Sequence, residues 1–428
     1  MAHDDPKSSG AKYFVDLFAG CGGLSLGLEN VGFQPVFVNE LNRDALASYH
    51  RNRKDSDPLL GDSRFHCQDV KELVSTSRIA TLTKDLRREF GVNVKAGELS
   101  LLVGGPPCQG FSGIGHRRSY SVQKEQLPSN QLYQDMAWVV AQLKPKIFLF
   151  ENVKGLLSAK WNGGEDHYKG EIWEDVRRTF ASIPEYRVNW SLVLAKNYGV
   201  PQNRPRVLLV GVRNDVDITP WEEINSGIGG GFLPTPTNNP PDLIDLLGDL
   251  VDPAYENGGK TSTYPSQATN AVQEWFRLSK DGSRVAGKGD PVSEQDYTGH
   301  SAKVLEKFRY MLEHNGEIPA QFKTKKFAQR LLPKVWGPSG PSITATSLAD
   351  DYVHFSQPRI LTVREWARLQ GFPDWYEFAG SRTTGGLRRA GNPREGNFDR
   401  ELPKYTQIGN AVPVKLAEAV GGHFLKIL

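Results

Sequence analysis

The first half of the chain predicts an α/β fold built on a doubly wound parallel sheet. Short apolar runs bounded by Gly and Pro recur at residues 13–18, 35–39, 99–103 and 146–150, the pattern of strands buried on both faces. The stretches between them, 43–52, 75–90 and 131–143, have helical periodicity, and strands alternating with helices make a parallel sheet. Several of the apolar runs stop at Gly, Glu or Pro-Pro-Cys, and ligands in such sheets bind beyond the carboxyl ends of the strands.

The first strand, residues 13–18, runs into Ala19-Gly20-Cys21-Gly22-Gly23 and a helical LSLGLENVGF. Strand, glycine turn and helix start form a nucleotide cradle, because glycine lets backbone approach a ligand. A dinucleotide fingerprint needs a third glycine at position 25, where Ser25 stands, so a nicotinamide cofactor is the least favoured reading. The second strand, 35–39, ends in Glu40, where a carboxylate usually meets ribose hydroxyls. A third strand is expected over 64–70, ending in Asp69. Residues 99–115 read LSLLVGGPPCQGFSGIG, and Pro106 and Pro107 stiffen the path that leads to Cys108. Taken alone, Cys108 fits both a packed core thiol and a nucleophile. Leu132, Met136, Val139, Val140 and Leu143 form a core stripe on the next helix, and strand 146–150 delivers Glu151 beside Cys108. Strands 187–194 and 206–212 follow, joined by KNYGVPQNRP. If that joint is extended, Gln202, Arg204 and Arg206 share one face.

Composition excludes several classes. The chain has 428 residues, 38% hydrophobic and 24% charged, with a net charge of +3, enough for two domains and an ordinary soluble composition. No stretch approaches a membrane span and the amino terminus has no apolar signal region, so a cytoplasmic protein without membrane contact is expected. Cys21, Cys67 and Cys108 are too few and too irregularly spaced for a disulfide framework or a zinc site, so no metal is expected.

Charge is unevenly spread beyond residue 213. Residues 214–260 carry nine acidic side chains and one basic, whereas 301–340 carry eight basic against three acidic. Residues 303–313 read as a solvated helix face, while Lys323, Lys325, Lys326 and Arg330 lack compensating acids and are expected to meet nucleic acid. RILTVREWARLQGFPD predicts a helix with Thr362 as N-cap and Glu365 completing a capping box. Residues 381–404 form a loop with six basic and three acidic side chains, expected to contact DNA. A closing helix follows Gly409-Asn410.

In order, FVDLFAGCGG, Glu40, Asp69, GGPPCQGFS, ENVKGLL, QNRPR, LTVREWARLQGFPD and QIGNAVP resemble the motifs of the C5-cytosine DNA methyltransferases, in particular the bacterial restriction-modification type. The resemblance is dense over 13–213 and returns over 339–428. It implies a Rossmann-like, seven-stranded mixed sheet and S-adenosylmethionine as cofactor. It also implies a catalytic domain, 1–213 completed by 405–428, and a smaller target-recognition domain over 214–404. For the cofactor it implies contacts from Phe18, Gly20, Gly22, Gly23, Glu40, Asp69, Val70, Gly104, Pro106, Asn410 and Val412. Leu41 departs from the family, which often has an aromatic there, and residues 116–129 form a longer loop than usual.

The chemistry explains these residue types. Cytosine C5 is a poor nucleophile until a thiolate adds at C6, the role implied for Cys108. A carboxyl group beside it can donate to N3 and accept from the exocyclic amine, the role implied for Glu151. Arg204 and Arg206 resemble the arginines that contact the base and its phosphate, with Gln202 in support. Gln109, Ser112, Arg117 and Arg118 are expected at the DNA, and the target must leave the stack for attack on its ring face. The expected partner is double-stranded DNA, with the protein acting as a monomer and any cognate endonuclease acting on the same site without a stable complex. The alternatives are a tRNA cytosine methyltransferase of the same fold and a catalytically silent DNA-binding homologue.

Overall fold

The structure is a computed structural model that describes residues 10–107, 131–161, 168–218, 231–236, 240–323, 328–338, 340–342, 350–383 and 401–428. Two compact units are distinguished: Met1–Leu194 with Pro205–Pro236 and Leu416–Leu428, and Ala195–Arg204 with Thr237–Lys415.

The first unit is a seven-stranded sheet. Its strands are β1 (Lys12–Leu17), β2 (Phe33–Asn39), β3 (His66–Cys67), β4 (Leu101–Gly104), β5 (Ile147–Val153), β6 (Tyr186–Leu194) and β7 (Pro205–Arg213), in the order β3-β2-β1-β4-β5-β7-β6. Strands β1 to β5 pair in parallel, but β7 is antiparallel to both β5 and β6. The sheet is therefore mixed, as the resemblance implies: the parallel arrangement predicted by strand–helix alternation holds for β1 to β5, and the direction reverses at the last two strands. The cause is the connection: a parallel return needs a crossover of a dozen or more residues, and only residues 195–204 lie between β6 and β7.

Helices α1 (Gly23–Glu29), α2 (Arg43–Arg51), α3 (Thr76–Phe90), α4 (Leu132–Leu143) and α5 (Glu171–Ala181) accompany the sheet. Asn42 caps α2 by accepting from the Asp44 and Ala45 amides at 3.0 and 3.1 Å, and Gly91 ends α3 in the left-handed conformation. Met136, Val139, Val140 and Leu143 are buried in the core, as their spacing on α4 anticipates. The third strand is much shorter than the expected 64–70. Asp69 accepts from the Lys71 amide while Glu72 reaches back to the Asp69 amide, and this capping box starts a 3₁₀ turn where the strand would continue.

The regular elements of the second unit are mainly helices, joined by long irregular stretches: α6 (Leu243–Leu247), α7 (Ala271–Arg277), α8 (Ala302–Glu313) and α9 (Val363–Gln370), a short parallel pair β8 (Arg330–Leu331) and β9 (Tyr352–Val353), and helix Lys404–Asn410. The capping box of Thr362 and Glu365 forms as its sequence predicts. Every residue of α9 is buried, including Arg364 and Arg368. The chain closes with helix Val414–Ile427, where Gly421 lets Leu28 and Val31 approach closely.

Candidate active site

At the carboxyl end of β1 the chain turns sharply. Phe18 has a φ of 59°, unusual for a residue with a side chain, and Gly20 and Gly22 continue the turn at 57° and 90°. Glu40 locks it, accepting from the Gly20 amide at 2.8 Å and the Asn42 amide at 2.7 Å. Burial pushes the Glu40 carboxyl above its usual range, partly offset by these two amides. Asn39 bridges neighbouring strand ends, accepting from the Phe18 amide and donating to the Gln68 carbonyl at 2.8 Å. Of the other candidates here, Gly23 opens α1, Val70 is buried and Asp69 is exposed.

Beneath this turn lies a polar cluster. Ser25 donates to Asp16 at 2.5 Å and lies 2.9 Å from the Tyr49 hydroxyl, while Arg53 sits over the Tyr49 ring at 3.8 Å and pairs with Glu29 at 2.6 Å. Desolvation raises the Asp16 carboxyl to about 7, against the opposing effects of Ser25 and Arg53. The folded protein thus holds a proton that the unfolded chain releases near pH 4, and stability falls as pH rises from about 4 to about 7. Asp16→Asn should abolish this component. Denaturation midpoints of wild type and variant should diverge between pH 5 and pH 8, with wild type declining; parallel profiles would contradict the assignment.

The second focus lies on β4, β5 and β7. Glu151 pairs with Leu208 and Arg206 with Val153, so Glu151 and Arg206 are diagonal neighbours on one face. Their side chains meet with Arg206 Nε 2.6 Å from Glu151 Oε1, both largely buried. Burial lowers the Arg206 guanidinium below its ordinary value, although Glu151 opposes the shift. A Cβ at Gly105 would lie 2.9 Å from Glu151 Oε2, so glycine there lets the turn after β4 run alongside the carboxylate. The Asn152 amide donates to the Pro106 carbonyl at 3.1 Å and fixes that turn. Gly104 fills a different need, since a Cβ there would press on Met136 and the Leu17 carbonyl.

Strand β5 carries Glu151 within it and continues to Val153, beyond the expected end at residue 150, because pairing with β7 extends it. The expected common face of Gln202, Arg204 and Arg206 is not found. Residues 195–204 turn, with the Arg204 amide bonded to the Gln202 carbonyl at 3.0 Å, and only Arg206 lies in a strand. Gln202 is fully buried and donates to Gln370 Oε1 at 2.6 Å, while Arg204 donates to the Gly409 and Ala411 carbonyls. Asn410 is exposed at the end of its helix and Val412 is half-buried. Lys323 and Arg330 are exposed, with Arg330 over the Tyr352 ring at 4.4 Å. Cys108, Gln109, Ser112, Arg117, Arg118, Lys325, Lys326 and most of the 381–404 loop lie outside the described residues.

Residues 13–426 match the family described as C-5 cytosine-specific DNA methylase. The chain belongs to that family. The methylase is 30% identical to the Type II methyltransferase M.XorII of Xanthomonas oryzae pv. oryzae, over 97% of this chain and 84% of the relative. It is also 30% identical to M.BspRI of Lysinibacillus sphaericus, over 98% and 83%. A solved structure described as a DNA modification methyltransferase encoded within an E. coli prophage superposes with a TM-score of 0.64 at 23% identity, covering 97% of the methylase and 99% of that chain, a likeness of fold. The methylase is thus a DNA (cytosine-5-)-methyltransferase of the restriction-modification type. Among its described residues no helix is long and apolar enough to cross a membrane and no acidic, His or Cys cluster could hold a metal ion.

Gly105, Asn152 and the Asp16 cluster were not singled out as site residues. Gly105 and Asn152 stand within recognised motifs, but their roles depend on spatial neighbours. Asp16 sits inside an apolar run and reads as strand.

Proposed function

We propose that the methylase moves a methyl group from S-adenosylmethionine to C5 of a cytosine turned out of duplex DNA, with Cys108 adding to C6 and Glu151 holding the N3 and N4 edge. The observation that carries this reading is Glu151 itself, fixed by Arg206 at 2.6 Å and lying against Gly105, three residues before Cys108. Asn152 pins the same turn through Pro106, so chain direction and carboxylate are set together. The other two thiols suit no such role: burial pushes both Cys21 and Cys67 up to about 12, which leaves them protonated at neutral pH.

The turn after β1 fits S-adenosylmethionine. Nothing lies within 4 Å of where a Gly20 Cβ would stand, and each Glu40 oxygen that accepts an amide keeps a lone pair for a ribose hydroxyl. When bound, the cofactor supplies an electrophilic methyl sulfonium. Phe18, Gly20, Gly22, Gly23, Glu40, Asp69, Val70, Gly104, Pro106, Asn410 and Val412 are the proposed contacts. Removing the base from the stack costs a few kcal/mol, which Arg204 and the exposed Lys323 and Arg330 offset at base and phosphate. We take the methylase to act as a monomer beside any endonuclease of the same site.

The test is trapping on duplex DNA containing 5-fluorocytosine, in which C5 cannot lose its substituent. With S-adenosylmethionine present, wild type should form a denaturation-resistant complex, Cys67→Ser should retain it and Cys108→Ser should lose it. A Cys108→Ser protein that still traps DNA would remove the nucleophile assignment. Labelling of tRNA in preference to duplex DNA would overturn the substrate.

A further inference from the structure

The loop of residues 195–204 places Gln202, Asn203 and Arg204 in succession, and each reaches a different segment of the second unit. Gln202 meets the end of α9 through Gln370, whose own amide donates to the Ile408 and Ala411 carbonyls at 2.7 and 3.0 Å. Arg204 donates to the Ala411 carbonyl at 3.1 Å. These contacts close a ring around the turn after helix Lys404–Asn410. Asn203 points elsewhere.

Asn203 is bound to Pro338, Gly340, Pro341 and Ser342 through its side-chain nitrogen, its backbone amide and its carbonyl. Its side-chain amide donates to the Gly340 carbonyl at 3.1 Å and the Pro338 carbonyl at 3.5 Å. Its backbone amide donates to the Pro341 carbonyl at 2.8 Å, and its carbonyl accepts from the Ser342 hydroxyl at 2.8 Å. The Ser342 amide donates to the Tyr352 hydroxyl at 3.2 Å, and Tyr352 is buried on β9. Two side-chain donors facing two carbonyls require an amide; aspartate would set acceptors against acceptors.

We propose that Asn203 is a positioning residue for methyl transfer: it clamps the 202–204 loop to the 338–342 turn and so fixes the guanidinium of Arg204. The clamp rests on the reading of Arg204 as a contact to the target base. Without it, the loop keeps its bonds through Gln202 and Arg204 but loses its hold on the turn. Misplacement by about 1 Å is enough to cost on the order of 100-fold in rate.

The experiment compares Asn203→Ala, Asn203→Asp, Arg204→Ala and the double Asn203→Ala/Arg204→Ala. Single-turnover rates at saturating DNA are expressed per active site, titrated with 5-fluorocytosine duplex. Asn203→Ala should lower that rate between about 10- and 100-fold with little change in the KM for DNA, and Asn203→Asp should lose at least as much. The double variant should be no slower than Arg204→Ala, because the two act as one unit. A merely structural Asn203 would reduce the number of active sites and the thermal midpoint but leave the rate per site unchanged. That result, with Arg204→Ala impaired, would overturn the clamp; full rates in both single variants would overturn the reading of Arg204 and the clamp with it.

Discussion

Arg368→Ala is expected to destabilise the second unit by about 3–5 kcal/mol, the usual cost of leaving buried charge without its partner. Arg368 is fully buried on α9 and spends all five of its N–H groups. Nη1 donates to Asp249 at 2.6 Å and the Leu246 carbonyl at 2.8 Å, Nη2 to Asp249 at 3.1 Å and Asp374 at 2.5 Å, and Nε to Asp374 at 2.9 Å. Burial alone would raise the Asp374 carboxyl, yet Arg368 holds it below the ordinary carboxylate range. Alanine removes the cation and leaves both carboxylates in place. Arg277 at 2.7 Å still serves Asp249, and the Tyr264 hydroxyl at 2.7 Å still serves Asp374, so the loss is large without being unlimited. The pair of exposed Arg284 and half-buried Asp290 is the internal comparison. Its removal should cost at most about 1 kcal/mol, because water screens it. Denaturant midpoints would show the contrast, and a similar small shift for both variants would contradict the account.

These arginines also mark where sequence reading stops. The apolar runs that became β1, β2, β4 and β5 were legible because burial on both faces leaves a continuous hydrophobic signature. The Thr362–Glu365 capping box was legible because both partners lie within one helical turn. Whether an arginine meets DNA or a buried aspartate is not local information. TVREWARLQ carries Arg364 and Arg368 on a short polar-looking helix, yet both are fully buried, with partners at Ser293 and Asp249 far along the chain as well as at Asp374 six residues on. Alternation misled at residues 202–206 for a related reason. Spacing by two assumes an extended backbone, and Gly199 and Pro201 instead start a turn that sends Gln202 and Arg204 to different partners. Glu151 was legible as a residue at the ligand end of the sheet. Its ion pair with Arg206 was not, because it depends on β7 returning antiparallel, which places residue 206 diagonally across from residue 151.

On the role proposed for Glu151 as proton donor to N3, Glu151→Gln is expected to lower the single-turnover methylation rate by about 10²–10⁴-fold, the range for losing a positioned general acid. Glutamine keeps the size and one acceptor oxygen, so the base pocket is not emptied. In the proposed mechanism it cannot deliver a carboxyl proton to N3, and without that proton the electron density arriving when the thiolate adds at C6 would have no sink. Its amide nitrogen can also turn a donor toward the exocyclic amine, where cytosine requires an acceptor. The substitution further deprives Arg206 of its ion-pair partner at 2.6 Å within a buried site, so some loss of stability accompanies the loss of rate. The two effects separate by measurement: the thermal midpoint and S-adenosylmethionine affinity report the fold, while the rate of adduct formation on 5-fluorocytosine duplex reports the addition step. Slow trapping by a folded, cofactor-binding Glu151→Gln protein would locate the defect at addition to C6. Trapping at the wild-type rate would show that addition proceeds without the carboxyl group, and N3 protonation would then have to come from another donor.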